Sequence, residues 1–144
     1  MIFEDLKEMI KKDLVIDETS LDTESLNTPQ LHNKYLNLLS NEKLILKKID
    51  SDFFRLKKEK WLYFTGKMSH EQLEENGWEP FDLSILKTDI DKFINSDQDI
   101  IDLSNKLFLQ QEKVNYIEGV VKIINNRQWY IRSAIDWLKF TNGV

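Results

Sequence analysis

Apolar side chains in the last third of the chain recur at alternating spacings of four and three residues over five heptads. The eleven positions, nine of them aliphatic and two occupied by Gln, are Leu103, Leu107, Gln110, Val114, Ile117, Val121, Ile124, Gln128, Ile131, Ile135 and Leu138. This spacing is typical of a coiled-coil seam, because it keeps one stripe of a helix apolar over its whole length. It predicts a long C-terminal helix that Ser96 or Asp97 caps and that ends near Phe140. Asn125 and Asn126 mark a point where this helix is expected to kink or break.

A second row lies one residue earlier on the same helix and consists of Tyr116, Val120, Ile123, Tyr130, Ala134 and Trp137. Two adjacent rows form a face that is too wide for a two-stranded coiled coil. We therefore expect the chain's own helices to cover one row and neighbouring subunits to cover the other. The residues predicted to hold this homo-oligomer together are Val114, Ile117, Val121, Ile124, Ile131, Ile135 and Leu138.

The remaining sequence predicts further helices, since only four Gly and two Pro interrupt it. Thr28 and Pro29 form a typical helix start, with Thr as the N-cap and Pro in the first turn. Nothing breaks the pattern from there to about Phe64, and Gly66 is suited to end the helix in a left-handed conformation. The predicted fold is all-α, with a long basic helix and a C-terminal heptad helix.

Shorter helices are expected on either side of the long one. Residues 3–12 have one apolar face, residues 14–22 read as irregular, and residues 83–94 form a further segment after Pro80. Ser69 and Gln72 form a capping-box pattern, and Gly77 follows that short helix. We predict one helical domain, residues 1–144, with an N-terminal part (1–66) and a C-terminal oligomerisation part (83–144).

Composition argues against several functional classes. The chain has no Cys, so it has no disulfide framework, thiolate nucleophile or Cys-based zinc site. His32 and His70 lack partners at ligand spacing, and we expect no metal and no cofactor. No secretion signal or apolar run of about 18 residues is present, so no membrane association is expected. No catalytic motif occurs, and the chain is not expected to be an enzyme.

The strongest charge contrast lies in residues 43–67. This basic island has eight Lys or Arg against three Asp or Glu, a local charge of +5, whereas the whole chain carries −5. It also contains five aromatic residues. Lysines neutralise phosphates and aromatic rings stack on unpaired bases, so this composition favours binding of single-stranded nucleic acid.

Helical spacing arranges the basic island into faces. At about 100° per residue, Lys43, Lys47, Phe54, Lys58 and Trp61 share one face. The predicted core stripe of the same helix is Leu38, Ile45, Ile49, Phe53, Leu56 and Tyr63. The candidate nucleic-acid-binding residues are Lys43, Lys47, Arg55, Lys57, Lys58, Lys60 and Trp61. A second interpretation is that the two aromatics pack against another part of the chain and the lysine stems lie over them.

Residues 71–99 are acidic, with nine carboxylates against Lys87 and Lys92. A solvated surface explains such a segment most simply. The alternative is a surface that binds a basic partner.

Several stretches, in order, resemble one known family. Residues 55–66 combine a basic stretch with aromatic residues and a Thr-Gly pair. Residues 4–6, 12–13 and 16–17 match at the N-terminus. Residues 86–91 and 125–137 match towards the C-terminus. In these stretches the chain resembles the UvsY-type recombination mediators of T4-like bacteriophages.

This resemblance implies an all-helical protein that assembles into a ring-like homo-oligomer and acts in the cytoplasm of the infected bacterial host. It implies binding of single-stranded DNA and loading of a RecA-like recombinase onto strands coated by single-stranded DNA-binding protein. The family's basic motif corresponds to Lys58 and Lys60, where Lys60 replaces an Arg and so keeps the charge but loses the planar fork. The alternative function is a structural coiled-coil adaptor that does not bind nucleic acid.

Overall fold

The computed structural model describes residues 1–143, which contain six helices and no strand. In chain order these are α1 (Phe3–Asp13), α2 (Leu21–Phe64), α3 (His70–Asn76), α4 (Ile90–Ser96), α5 (Gln98–Asn125) and α6 (Arg127–Thr141). The prediction of an all-α fold is confirmed for this range. None of the six helices has an apolar stretch long enough to cross a bilayer.

Helix α2 begins at Leu21, so the predicted start at Thr28 and Pro29 is wrong. A proline inside a helix has no N–H for the carbonyl four residues earlier, which here belongs to Ser25. The side-chain amide of Gln128 on α6 donates to that carbonyl at 3.0 Å. A side chain from another helix thus replaces the missing backbone donor, and α2 continues through the proline.

Arg127 supports the same turn of α2. Its buried guanidinium donates through Nη1 to the carbonyl of Glu24 at 2.7 Å and to the hydroxyl of Thr28 at 3.2 Å. Its Nη2 forms an ion pair with the carboxylate of Glu24. The first residues of α6 therefore hold the N-terminal part of α2 in its helical conformation.

The predicted break in the C-terminal helix is confirmed, since α5 ends at Asn125 and α6 begins at Arg127. The predicted cap is also confirmed, because the carboxylate of Asp97 accepts from the N–H of Ile100 at 3.2 Å. Both helix stops in the middle of the chain are as predicted, with left-handed φ of 71° at Gly66 and 69° at Gly77.

The helix predicted over residues 83–94 is shorter than expected, because α4 begins only at Ile90. Leu83 and Leu86 are exposed to solvent. Without a buried apolar face, a short segment has too little packing to stabilise a helix. The capping box of Ser69 and Gln72 forms as predicted at the start of α3.

The chain divides into two compact units. The first comprises Met1–Lys43 and Glu112–Val144, and the second comprises Leu44–Gln111. The core of the first unit consists of Leu6, Ile10, Tyr35, Ile117, Val120 and Ile124. The core of the second unit consists of Phe64, Ile94 and Ile100, against which Phe53, Tyr63, Phe81 and Phe93 pack.

A polar cluster borders the first core. The Tyr35 hydroxyl donates to the carboxylate of Asp13 at 2.7 Å, and the ammonium of Lys34 donates to it at 2.6 Å. Burial would raise the pKa of Asp13, but these hydrogen bonds outweigh it and the pKa lies below its usual value. Burial, together with the hydrogen bond to the anionic Asp13, raises the pKa of Tyr35.

Candidate nucleic-acid interface

One face of α2 within the second unit is exposed and both basic and aromatic. It consists of Lys47, Phe54, Lys58 and Trp61, which we call the basic–aromatic face. Phe54 is 65% exposed and Trp61 40% exposed. The expectation that these two rings lie away from the core is confirmed, because Ile49, Phe53 and Phe64 form the buried side of the helix.

The cations beside this face differ in what they already contact. Lys58 is exposed and forms no ion pair within residues 1–143. Arg55 is bridged to Asp52 at 3.4 Å but remains largely solvated. Lys57 is half-buried, with its ammonium 4.8 Å from the centre of the Phe53 ring. Exposed ion pairs are weak, so these side chains keep the ability to contact a phosphate.

Lys43 belongs to the first unit and is bridged to Glu118 at 3.2 Å. Both side chains are about half exposed, so this pair is also of the weak, solvated kind. Its contribution to strand binding stays a prediction.

Lys60 differs from all the other predicted residues, because its side chain is only 5% exposed. Its ammonium lies 2.9 Å from Asp99 Oδ2 and 3.2 Å from Asp97 Oδ1. It also lies 3.9 Å from the centre of the Trp78 ring, a cation–π contact. In this structure the charge of Lys60 is neutralised inside the unit, and the phosphate contact predicted for it would require these pairs to open.

The sequence contained a signal for this burial. Lys60 lies seven residues after Phe53 and four after Leu56, which places it on the core stripe of α2. In the sequence, Asp97 and Asp99 belong to the acidic segment 71–99, which a solvated surface explains most simply. Their pairing with Lys60 depends on tertiary folding and was not predictable from local spacing.

Lys67 is a residue that the site prediction left out. Its ammonium lies 4.5 Å from the centre of the Trp61 ring. The left-handed Gly66 reverses the chain just before it, and this turns Lys67 back over the last turn of α2. The predicted glycine stop was therefore the signal that could have identified Lys67.

Most of the predicted oligomerisation residues lie in the chain's own core. Val114, Ile117, Ile124 and Ile131 are buried within the first unit, whereas Val121 and Ile135 are half-buried and Leu138 is exposed. The chain's own helices thus cover most of this seam. The large side chains that stay exposed nearby are Trp129, Tyr130, Trp137 and Phe140, which we call the exposed aromatic row.

The chain is similar to one protein family over nearly its whole length. The family model described as "Recombination, repair and ssDNA binding protein UvsY" matches residues 9–144. The recombination protein uvsY of Enterobacteria phage T4 is 25% identical over 143 residues, which is 99% of each chain.

Solved structures of the bacteriophage T4 recombination mediator protein UvsY have the same fold. One crystal lattice gives a TM-score of 0.85 at 24% identity, covering 97% of this chain and 99% of that chain. Another gives 0.81 at 24% identity, covering 99% and 98%. With the family model matching nearly the whole length, the chain belongs to the UvsY family of recombination, repair and single-stranded-DNA-binding proteins.

Proposed function

We propose that the chain is a recombination mediator that binds single-stranded DNA and loads a RecA-like recombinase onto strands coated by single-stranded DNA-binding protein. The observation that supports this most directly is the basic–aromatic face, because an acidic chain exposes lysines and rings together there. The phage T4 relative, named as a recombination mediator, supports the finer assignment.

Strand binding on this face needs two kinds of contact. Lys47 and Lys58 would neutralise phosphates and release counterions, which makes the affinity fall with salt concentration. Phe54 and Trp61 would stack on bases, and every base offers a π-face, so base identity should matter little. No bond is made or broken in this activity.

Assembly into a ring-like homo-oligomer is the second part of the proposal. The exposed aromatic row supports it, since large apolar side chains in contiguous patches mark interaction surfaces. Repeating the basic–aromatic face around a ring would hold several stretches of one strand at once and raise the overall affinity by avidity.

Loading then follows from mass action. A strand held at several points is easier to bend and expose, so that an incoming recombinase displaces the coating protein at lower concentration. The exposed carboxylates Glu71, Glu74 and Glu75 on α3 are a candidate surface for a basic partner. The proposed place of action is the cytoplasm of the infected bacterial host, because the full-length relative is a phage protein.

The direct test measures recombinase ATPase on strands precoated with cognate single-stranded DNA-binding protein, with and without this chain. We expect stimulation on coated strands at a salt concentration where the recombinase alone is inhibited. Lys58→Ala should weaken it, whereas Lys11→Ala, an equal charge change at an exposed position of α1, should not. If coated strands stay refractory while the chain binds bare strands, the mediator role is wrong and only strand binding stands.

A further inference from the structure

A cleft of about 670 Å³ opens at the C-terminal end of α2, within the second unit. Trp61 and the turn that ends with Lys67 form one wall. The opposite wall comes from Phe81, from Lys87 and from the start of α4. Its volume lies within the range of about 300–1,000 Å³ that is common for small-ligand sites. We call it the α2-end cleft.

The first wall is fixed by the helix end. The hydroxyl of Thr65 donates to the carbonyl of Trp61 at 2.7 Å, and the N–H of Lys67 donates to the carbonyl of Leu62 at 2.9 Å. Gly66 adopts a left-handed φ that other residues rarely adopt. The backbone of Lys67 is therefore held close to the last turn of α2, and its ammonium lies 4.5 Å from the centre of the Trp61 ring.

The second wall is fixed by aromatic packing, although residues 78–86 are not helical. The Phe81 ring meets Phe64 edge-on, with centroids 5.1 Å apart, and lies 6.0 Å from Phe93. Such edge-to-face pairs add to the stabilisation from burial. The segment that leads to Lys87 is thus held in place at its start by the packed ring of Phe81.

The chemistry of the cleft suits a nucleotide. Lys67 and Lys87 supply two cations for phosphates, while Trp61 supplies an aromatic plate for a base. Asp82 and Asp91 also line the cleft and would repel any anionic group, phosphates included, so the phosphates are assigned to Lys67 and Lys87 and only the uncharged base is expected near the carboxylates. Trp61 belongs to the basic–aromatic face, so a strand that follows α2 would reach the cleft at its end.

We propose that the α2-end cleft binds one unpaired nucleotide of single-stranded DNA, with the base against Trp61 and the neighbouring phosphates at Lys67 and Lys87. On binding, the ammonium of Lys67 leaves the face of the Trp61 ring and contacts a phosphate oxygen. The base then stacks on the ring face that the ammonium has left. This inference rests on the proposed strand binding and assigns it a specific site.

The experiment compares two lysines on the same stretch of chain. Lys87 lines the cleft, whereas Lys92 on α4 does not, and both are exposed, so that replacing either should leave the melting temperature unchanged. Affinity of the full chain for a short oligonucleotide is measured at several salt concentrations. Lys87→Ala should lower the salt slope by about one unit, and Lys92→Ala should not change it.

A second strand, of equal length and charge but without bases, tests the stacking contact. It should bind the wild-type chain about five- to 150-fold more weakly than the normal strand. In Trp61→Ala this difference should shrink, because the Trp61 ring is absent, and the part that remains reflects stacking on Phe54.

Failure of the cleft and failure of strand binding give different results. If the normal strand binds with a clear salt dependence but Lys87→Ala and Lys92→Ala behave alike, the cleft does not hold a nucleotide. If an acidic peptide displaces the strand from wild type but not from Lys87→Ala, the cleft is a peptide site and the proposal is overturned. If no oligonucleotide binds even at low salt, the proposed function itself is wrong.

Discussion

Replacing Lys60 should lower stability, whereas replacing Lys58, two residues earlier, should lower strand binding. The Lys60 ammonium is buried against the carboxylates of Asp97 and Asp99, but Lys58 is exposed. We therefore expect Lys60→Met, which keeps the apolar stem and removes the charge, to destabilise the fold and to leave the phosphate contacts intact.

The magnitude follows from the exposure of the two carboxylates. Removing one partner of a fully buried ion pair costs about 3–5 kcal/mol. The Asp99 side chain is 56% exposed and recovers much of its hydration, but that of Asp97 is 16% exposed and recovers little. The cation–π contact with Trp78 is lost as well, at about 1 kcal/mol. We expect the free energy of unfolding to fall by about 2–4 kcal/mol for Lys60→Met and by less than about 0.5 kcal/mol for Lys58→Ala.

A rescue variant separates the loss of the ion pair from a general packing defect. In the Lys60→Met background, Asp97→Asn with Asp99→Asn should restore at least about 1 kcal/mol, because no unpaired buried charge is left. The amide of Asn can still accept from the N–H of Ile100, so the cap of α5 is kept.

The assay is urea denaturation followed by circular dichroism, together with oligonucleotide titration at a temperature where every variant is folded. Lys58→Ala should reduce the salt slope by about one unit and Lys60→Met should not. A different result would contradict this reasoning: Lys60→Met as stable as wild type, with a salt slope of oligonucleotide affinity reduced by one unit. Lys60 would then contact phosphate, and its pairing with Asp97 and Asp99 would not persist in solution.

Three further predictions concern the first unit. Gln128→Ala should lower the free energy of unfolding by about 1 kcal/mol in wild type but by less in a Pro29→Ala background, where the helix regains its own backbone donor; a double-mutant cycle in urea measures this. Trp137→Ser should shift the species seen in analytical ultracentrifugation towards smaller mass and leave circular dichroism unchanged, and an unaltered mass would remove Trp137 from the interface. Folding favours the carboxylate of Asp13 and the neutral phenol of Tyr35. The stability that Asp13 contributes should therefore disappear as pH falls through its lowered pKa, below about pH 4. The stability that Tyr35 contributes should disappear as pH rises above about 10 towards its raised pKa. Denaturation at several pH values checks both expectations.

Local sequence rules predicted most helix ends correctly. The capping box at Ser69, the glycine stops at Gly66 and Gly77 and the break at Asn126 all depend on residues close in the chain. Their conformations are set by short-range sterics and hydrogen bonds, which a sequence displays directly.

The misplaced start of α2 has a tertiary cause. Pro29 at a helix start satisfies every local rule. Side chains from far along the chain, the amide of Gln128 and the guanidinium of Arg127, make its interior position acceptable. A donor that arrives from another helix leaves no local pattern around the proline. The buried Lys60 is a comparable case, since its helical position was readable but its acidic partners were not.

The apolar seam was predicted correctly as a pattern, but the pattern does not say what covers it. Residues such as Ile117 and Ile124 satisfy the heptad spacing equally well against a second subunit or against α1 and α2. The structure places them in the chain's own core. The heptad positions do not encode whether the chain's own helices or a second subunit cover the seam. That depends on the order of the other helices.

The distribution of cations explains why strand binding should depend on assembly. With Lys60 neutralised internally, the exposed lysines on the basic–aromatic face and the α2-end cleft are Lys47, Lys58, Lys67 and Lys87. Four phosphate contacts on a single strand correspond to a salt slope of only about −3 for each subunit, and added contacts from Lys43, Arg55 and Lys57 would bring it only to about −5. The whole chain carries −5, so its long-range field opposes rather than adds to this local attraction. One subunit should therefore bind weakly at moderate salt, and tight binding should require several subunits that hold the same strand together.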